Sequence, residues 1–549
     1  MATPRPWSGA VVELFVTASL MATLYLASEW VGTPFVPYDL FDWEARGLPG
    51  DLVTFGIDLM IDSMRLVGMS VANIAETAEQ FIALAQFLGA GVVGGGVSFF
   101  VLNRWPRIAS SMSRWTRESS TLVGLGLGAL AGLAMVPISA GMGVSNVNAF
   151  VEAFWLLVAF ALSGTAVGWA YSRLLTKAAT APAGESTPGQ ELSRRQFLVR
   201  LGAATATITI VGAGAGKALD SAAGRRAEDA MEAAMAAMPA SARPAFPNAA
   251  DPLVPAPGTR SEYTEVRDHY RVFIRVEPTV IDGESWTLPV TGLVDNPLEL
   301  KLDDLINDYE HHDQYVTLNC ISGRLGTELI STTRWTGVSV QGILADLRVQ
   351  PNAKYLHITS GDGFYETVAL DLIASDPRIM LAYAWDGQAI PVDHGFPLRI
   401  WLPDRYGMKQ PKWITGIEVI EENKDGYWVE RGWDAVARVN AVSVVDTIGS
   451  EAVYESDCQM FVPVGGIAFA GDRGISKVEL SEDGGPWNEA VLKSPLSDTT
   501  WVIWRYEWPF KEGKHTLAVR CNERDGTPQV TEFGNRRPSG ATGIHSKRT

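Results

Sequence analysis

The hydrophobic pattern changes character near the middle of the chain. Up to about residue 216, long apolar runs alternate with short charged loops. Beyond about residue 258 the runs are short, rich in Val, Ile, Thr, Trp and Tyr, and punctuated by Gly, Pro and Asp turns. Four long runs come first, Ala10–Ala27, Phe81–Leu102, Thr121–Ala140 and Phe150–Leu175, and a fifth follows at Phe197–Ala215. A helix needs about twenty mostly apolar residues to cross a bilayer, so the pattern predicts five spans. The segment Asp51–Ala78 is also apolar, but Asp58, Asp62 and Arg65 interrupt it. It predicts an amphipathic helix outside the bilayer, with a spanning hairpin as the alternative.

Charge in the loops orients these helices. Arg104, Arg107, Arg114 and Arg117 follow the second run, and Arg173, Lys177, Arg194 and Arg195 follow the fourth. The loop between the first two runs carries Asp39, Asp42, Glu44 and Asp51 instead. Basic loops stay on the cytoplasmic side, so the expected topology has a cytoplasmic N-terminus and everything after Gly216 outside. The stretch "SRRQFLVRLGAATATITIVGAGAG" then reads as a twin-arginine export signal retained as the fifth span. That route carries folded proteins, which points to a cofactor inserted before export. Glycine-rich "GLGLGALAGLA" suits close helix packing, and Ala222–Ala256, rich in Ala, Met and Pro, reads as a short helix and an extended tether.

After Gly258 the texture predicts mixed α+β structure, with short helices such as Val340–Leu347, and an all-β end. The expected organisation is therefore a four-helix transmembrane region (1–178), the arginine pair with the fifth helix (179–216), a linker (217–258), an α+β domain (259–440) and a β-domain with the tail (441–549). Alternating strands with D-G turns in "GGIAFAGDRGISKVELSEDGGPWNEAVL" and "WVIWRYEW" predict an immunoglobulin-like sandwich for the last of these.

Composition removes several functions. A formal net charge of −17 argues against a nucleic-acid partner, because phosphate binding needs clustered Lys and Arg. Only Cys320, Cys458 and Cys521 occur, without a CxxC, which excludes a disulfide framework, a zinc ribbon and a covalently attached c-type haem. Whether Cys458 pairs with Cys521 is open. All seven histidines lie between His269 and His545, so no helix pair can hold a b-type haem. The membrane part therefore reads as an anchor or docking surface in the lipid bilayer.

Cys320 stands at the end of a strand-like run in "YVTLNCISGRLG". A thiolate there suits a soft metal, and a small buried residue is the alternative. Then come "STTRWTGVSVQGIL", "SGDGFYETVALD", "LAYAWDGQAIPVDHGFPLRIWLP", "GMKQPKWITGIEVIE" and "DGYWVERGW". In this order the motifs resemble the sulfite oxidase family of molybdopterin enzymes, in particular its bacterial, membrane-anchored members, from about Tyr263 to the C-terminus.

The resemblance implies a molybdenum-molybdopterin cofactor, with Cys320 as the thiolate ligand of the metal. It implies that His394 and Arg399 hold the pterin and its phosphate, that Gln410 and Lys412 form a phosphate-side loop, and that Asp362 is an acidic contact. It also calls for an N-terminal arginine, for which spacing favours Arg271 over Arg275. The final β-domain resembles the family's dimerisation domain, which implies a homodimer. Three positions depart from true sulfite oxidases: Trp433 stands where a tyrosine is expected, and Ser322 and Leu325 where glycine and arginine are expected. Arg324, Arg334 and Arg431 remain close in sequence, so Arg324, Arg431 and Trp433 join Cys320 as candidate catalytic residues.

The expected activity is two-electron oxygen-atom transfer on a small-molecule substrate, with electrons exchanged through a separate membrane or extracytoplasmic carrier. The alternatives are reduction of a sulfoxide, oxidised methionine included, and a non-catalytic structural subunit of a membrane assembly.

Overall fold

The computed structural model describes residues 4–66, 71–108, 117–142, 147–179, 196–218 and 245–549. They form two compact units. The first holds Met1–Leu48, Glu76–Ala230 and Arg275–Glu277; the second holds Pro49–Ala75, Met231–Ile274 and Pro278–Thr549. Arg194, Arg195 and most of the expected tether lie outside the described residues.

The helices of the N-terminal half are α1 (Pro6–Val31), α2 (Val36–Gly47), α3 (Gly50–Leu66), α4 (Val71–Ile108), α5 (Arg117–Met142), α6 (Ala149–Ala179) and α7 (Gln196–Ala218). Among the described residues, five helical stretches are long and apolar enough to cross a membrane: Pro6–Val31, Thr77–Arg104, Ser119–Met142, Ala149–Leu174 and Gln196–Ala218. Each coincides with one of the expected apolar runs. The glycines of α5 let it approach α6 closely. A Cβ on Gly128 would lie 2.2 Å from the Phe160 carbonyl oxygen, and one on Gly124 would lie 2.3 Å from that of Gly164.

Of the segment expected as one amphipathic helix over 51–78, the described residues hold α3 (Gly50–Leu66) and the start of α4 at Val71, and residues 67–70 lie outside them. The charges explain why α3 stands apart from the spanning helices. Thr54, Asp58 and Asp62 recur every four residues and so share one face, whereas Leu52, Phe55 and Leu59 form an exposed apolar stripe. The chain leaves the first unit for this one helix, which packs with the second unit.

Among the described residues, the second unit is built on four sheets. One has the strand order Leu298–Leu300, Leu288–Gly292, Ile414–Ile420, Tyr355–Ser360, Tyr365–Ala369. Another runs His311–Asn319, Ile330–Ser339, Met380–Trp385, with Gln388–Ala389 and Arg399–Trp401 both paired to the last. Met380–Trp385 is buried at every position, as its uninterrupted apolar sequence requires. The helix at Val340–Leu347 falls where the sequence predicts it, capped by the Ser339 hydroxyl, which accepts from the Gln341 N–H. The core of this part gathers Trp286, Leu288, Ile358, Leu381, Ile400 and Ile417.

Beyond residue 441 every strand pairing is antiparallel. One sheet centres on Gln459–Phe469 and Val502–Pro509, the other on Ile475–Glu482 and Thr516–Glu523. Val462, Val464 and Trp504 of the first share one core with Val478, Leu480, Leu517 and Val519 of the second. Cys320, Cys458 and Cys521 are all free thiols.

Candidate active site

Cys320 directly follows the strand His311–Asn319, and its N–H donates to the Leu329 carbonyl (3.0 Å). The chain then turns, with the Gly323 N–H donating to the Cys320 carbonyl (3.0 Å). A cleft here is lined by Asn319, Cys320, Arg324, Leu325 and Tyr406, among others. Burial pushes the thiol up from its ordinary range, opposed by the nearby Ser322 and the positive charge of Arg536. The buried phenol of Tyr270 is pushed well up by burial and by its proximity to Cys320.

Beside it lies a buried basic pocket. His394 precedes Gly395, whose φ of 113° suits glycine, and a Cβ there would come within 2.8 Å of the Lys412 side chain. The rings of His394 and His269 are 5.1 Å apart, and each meets the edge of Trp385 at 4.8 Å. His269 uses Nδ1 on the Tyr270 carbonyl (2.9 Å), which leaves Nε2 buried without a partner. Arg399 donates from Nη1 to the His394 carbonyl (2.9 Å) and lies over the Trp335 ring at 4.3 Å. Lys412 donates to the Val272 carbonyl (3.1 Å), between the rings of Trp413 (4.4 Å) and Phe273 (5.1 Å). Trp413 itself is fully buried at a left-handed φ of 49°, so the surrounding packing dictates its backbone.

Burial moves all these groups toward their neutral forms. His269 falls to about 3 and His394 well below its usual range. Arg399 falls to about 10 and Lys412 to about 7, although Lys412 keeps partial access to water. The nearby carboxylates are Asp393, which pairs with Arg271 (3.0 Å), and Asp362, which opposes the fall at Lys412. Asp362 also accepts from the Phe364 N–H (2.9 Å) and so shapes its turn.

The structure thus brings Arg271, Asp362, His394, Arg399 and Lys412 together. Arg275 lies elsewhere: it belongs to the first unit, donating to the Met142 carbonyl (3.3 Å) and facing Asp42 (3.7 Å). Gln410 spends its amide N–H on the Arg405 carbonyl (2.9 Å), which makes it a brace of the loop. Arg431 lies 3.7 Å over the Tyr427 ring and donates to the Tyr427 carbonyl (2.7 Å). Trp433 stacks on Trp428, with centroids 4.1 Å apart and planes 14° from parallel. Arg334 is buried and faces Asp386 at 3.9 Å.

Sequence reasoning missed three groups. His269 and Tyr270 stand just before Arg271, and only their burial marks them. Lys409 forms a buried pair with Glu366 (2.6 Å); the signal was a carboxylate inside the apolar strand Tyr365–Ala369. Arg536 and Arg537 lie far along the chain, and nothing local distinguishes them from surface arginines.

An anionic, hydrogen-bonding cofactor suits this pocket. His269 Nε2, Tyr270 Oη, Trp335 Nε1, Ser360 Oγ and Arg399 Nε are buried without hydrogen-bond partners. Buried polar atoms are nearly always partnered in proteins, so such a cluster around two cations is the imprint of a polar ligand. Comparison with known proteins identifies the class: residues 275–428 match the oxidoreductase molybdopterin binding domain. The chain thus carries a domain of the oxidoreductase molybdopterin-binding type, whose cofactor is molybdenum-molybdopterin.

Among individual proteins, the chain is similar to an NADH nitrate reductase of Lotus japonicus (28% identity over 299 residues, 43% of this chain and 33% of that one). It is also similar to human mitochondrial sulfite oxidase (27% over 290 residues, 45% and 53%). The chain thus spans between a third and about half the length of these relatives. A solved structure, the sulfane dehydrogenase SoxCD from Paracoccus pantotrophus, aligns with a TM-score of 0.46 at 17% identity, covering 54% of this chain and 86% of that one.

Proposed function

We propose that this protein is a membrane-anchored, extracytoplasmic oxidoreductase that carries out two-electron oxygen-atom transfer on a small substrate and exchanges electrons with a separate carrier. The observation that carries the reading is the strand-end thiol of Cys320 beside a buried basic pocket with unsatisfied donors. The five apolar helices support the anchor. The basic loops and the Arg194–Arg195 pair support a cytoplasmic N-terminus and export through the twin-arginine route, with α7 retained as the fifth span. The two sheets beyond residue 441 support an immunoglobulin-like sandwich, and with it a homodimer of the kind such domains form in the resembling family.

When bound, the molybdenum-molybdopterin group supplies the two-electron redox chemistry. The residues of this chain supply the rest. The Cys320 thiolate would hold the metal. Arg399, Lys412 and Arg271 would hold the anionic phosphate by charge-assisted hydrogen bonds, and neutral His394 and His269 would bind the polar edge of the pterin. Trp433 and Trp428 stack on one another in the core cluster that also holds Ile321, next to Cys320 in sequence, and Arg536 lends positive charge beside the thiolate.

Metal analysis of full-length protein from a host that makes the cofactor tests this reading. About one molybdenum per chain is expected, and reduction followed by reoxidation with candidate substrates then gives the reaction's direction. Protein without molybdenum from such a host would overturn it. For topology, Arg194→Lys with Arg195→Lys keeps the charge but removes the arginine pair. Protease accessibility from the outer face should then be lost, and normal exposure would refute the export route.

A further inference from the structure

α3 presents its polar face to the mouth beside Cys320, and each turn makes a contact there. A Cβ on Gly50 would lie 2.4 Å from the Arg431 carbonyl oxygen, so the helix start sits directly against that loop. The Thr54 hydroxyl accepts from Trp433 Nε1 (3.4 Å), and its carbonyl accepts from Arg537 Nη2 (3.4 Å). Asp58 pairs with Arg536 (2.5 Å) and with Arg537. One turn on, Asp62 pairs with Arg324 (2.7 Å) and stands 3.6 Å from Arg536. Three guanidinium groups therefore meet two carboxylates brought in by a helix whose neighbours in sequence belong to the other unit.

We propose that Asp58 and Asp62 determine which substrates this mouth accepts: they offset its arginines, so that it takes an uncharged oxygen-bearing molecule and disfavours small dianions. The inference rests on the reading of Cys320 as the reacting centre. Without the carboxylates, Arg324, Arg536 and Arg537 would form a strong dianion site, since arginine forks match oxyanions. With them, an entering dianion meets two like charges and must displace existing ion pairs. The arginines still have donors to offer: Nε and Nη1 of both Arg536 and Arg537 are buried without hydrogen-bond partners. Those N–H groups can donate to the oxygen of a neutral oxide, which an exposed carboxylate could not do. The same contacts would arise if α3 served only to neutralise buried arginines, so the test must read anion binding itself.

The probe is sulfate, a dianion that does not react, titrated calorimetrically at low ionic strength into the cofactor-loaded full chain in detergent. Asp58→Asn with Asp62→Asn is expected to bind sulfate at least about tenfold more tightly than wild type. Adding Arg324→Gln and Arg537→Gln should abolish that gain. An unchanged affinity in the double variant, or a gain that survives the arginine substitutions, would overturn the proposal. Loss of both carboxylates leaves Arg536 buried and unpaired, so Asp62→Asn alone is the second arm. Asp62 and Arg324 are each about half exposed (48% and 47%), and the fold does not depend on their pair. This single variant should gain about threefold or more in sulfate affinity, and no gain in the folded variant counts against the proposal. Sulfate binding needs no turnover, so a chain lacking molybdenum would sink the functional reading while the charge result stayed legible.

Discussion

The basic pocket around Arg399 and the arginine mouth beside Cys320 hold comparable positive charge and settle it in opposite ways. In the pocket, Arg399 has no carboxylate within salt-bridge distance among the described residues, and burial drags it and Lys412 toward neutrality. At the mouth, Arg324, Arg536 and Arg537 are met by Asp58 and Asp62. A buried charge is tolerated only when something compensates it. The mouth's compensation is part of the chain; that of Arg399 must arrive with a ligand. The pocket is therefore built to be filled, and the mouth to be traversed.

The same contrast decides what the sequence could disclose. The pocket comes from compact local motifs: "DHGFPLR" carries both His394 and Arg399, and Lys412 follows directly before a strand. Each motif is compact enough to be matched in sequence, so the family resemblance that they carry in order named most of the cluster. Arg271 was separable from Arg275 only weakly by spacing, because the tertiary path that sends Arg275 into the first unit leaves no local trace. The mouth is assembled from four remote stretches, around residues 50–62, 320–325, 431–433 and 536–537. Asp58 and Asp62 were visible as interruptions of an apolar run, but their partners lie more than two hundred residues away. Lys409 was hidden by the same difficulty, since Glu366 is distant in sequence and adjacent in space. The five apolar helices were the easiest part, because length and composition alone define them.

Three experiments bear on this division. The largest effect belongs where the two regions meet. Cys320→Ser should remove the sulfur-to-metal absorption and lower turnover by about a thousandfold or more, while pterin content stays near the wild-type level because the pocket's contacts are separate from the thiolate. Parallel loss of pterin and metal would show that the regions are not independent.

Next, removing one arginine from each region should move stability in opposite directions. Arg399→Met lifts an uncompensated buried charge, so the cofactor-free protein should unfold at a higher temperature. Its cofactor retention should fall by about ten- to a hundredfold, the worth of a charge-assisted hydrogen bond. Arg536→Met instead takes one of the two guanidinium partners of Asp58, leaving Arg537, and should destabilise by about 1–2 kcal/mol. That is below the 3–5 kcal/mol of a fully buried pair because Asp58 is 30% exposed. Thermal unfolding of the two variants side by side, with pterin quantified after oxidation to its fluorescent form, decides the matter. Matching signs would erase the distinction.

The smallest effect is a slope. His269 titrates at about 3 in the folded chain against an ordinary value of 6.5, and His394 is shifted the same way, both chiefly through burial. Between these limits the unfolded chain binds more protons than the folded one, so stability rises with pH across the window and is lost as pH falls from about 6.5 toward 3. For the cofactor-free protein, His269 alone should remove about 2 kcal/mol between pH 6.5 and 5, at about 1.4 kcal/mol per pH unit. His269→Gln should flatten that part of the curve. Arg324→Gln at the mouth should leave it unaltered. Cofactor-loaded protein should also show a shallower slope, since an anionic phosphate near the imidazoles favours their charged form and raises their pKa again. Chemical denaturation at a series of pH values, on loaded and cofactor-free samples, measures all of these slopes. If the cofactor-free curve is as flat as the loaded one, the histidines do not face a pocket that waits for an anion, and the contrast between pocket and mouth fails at its deeper end.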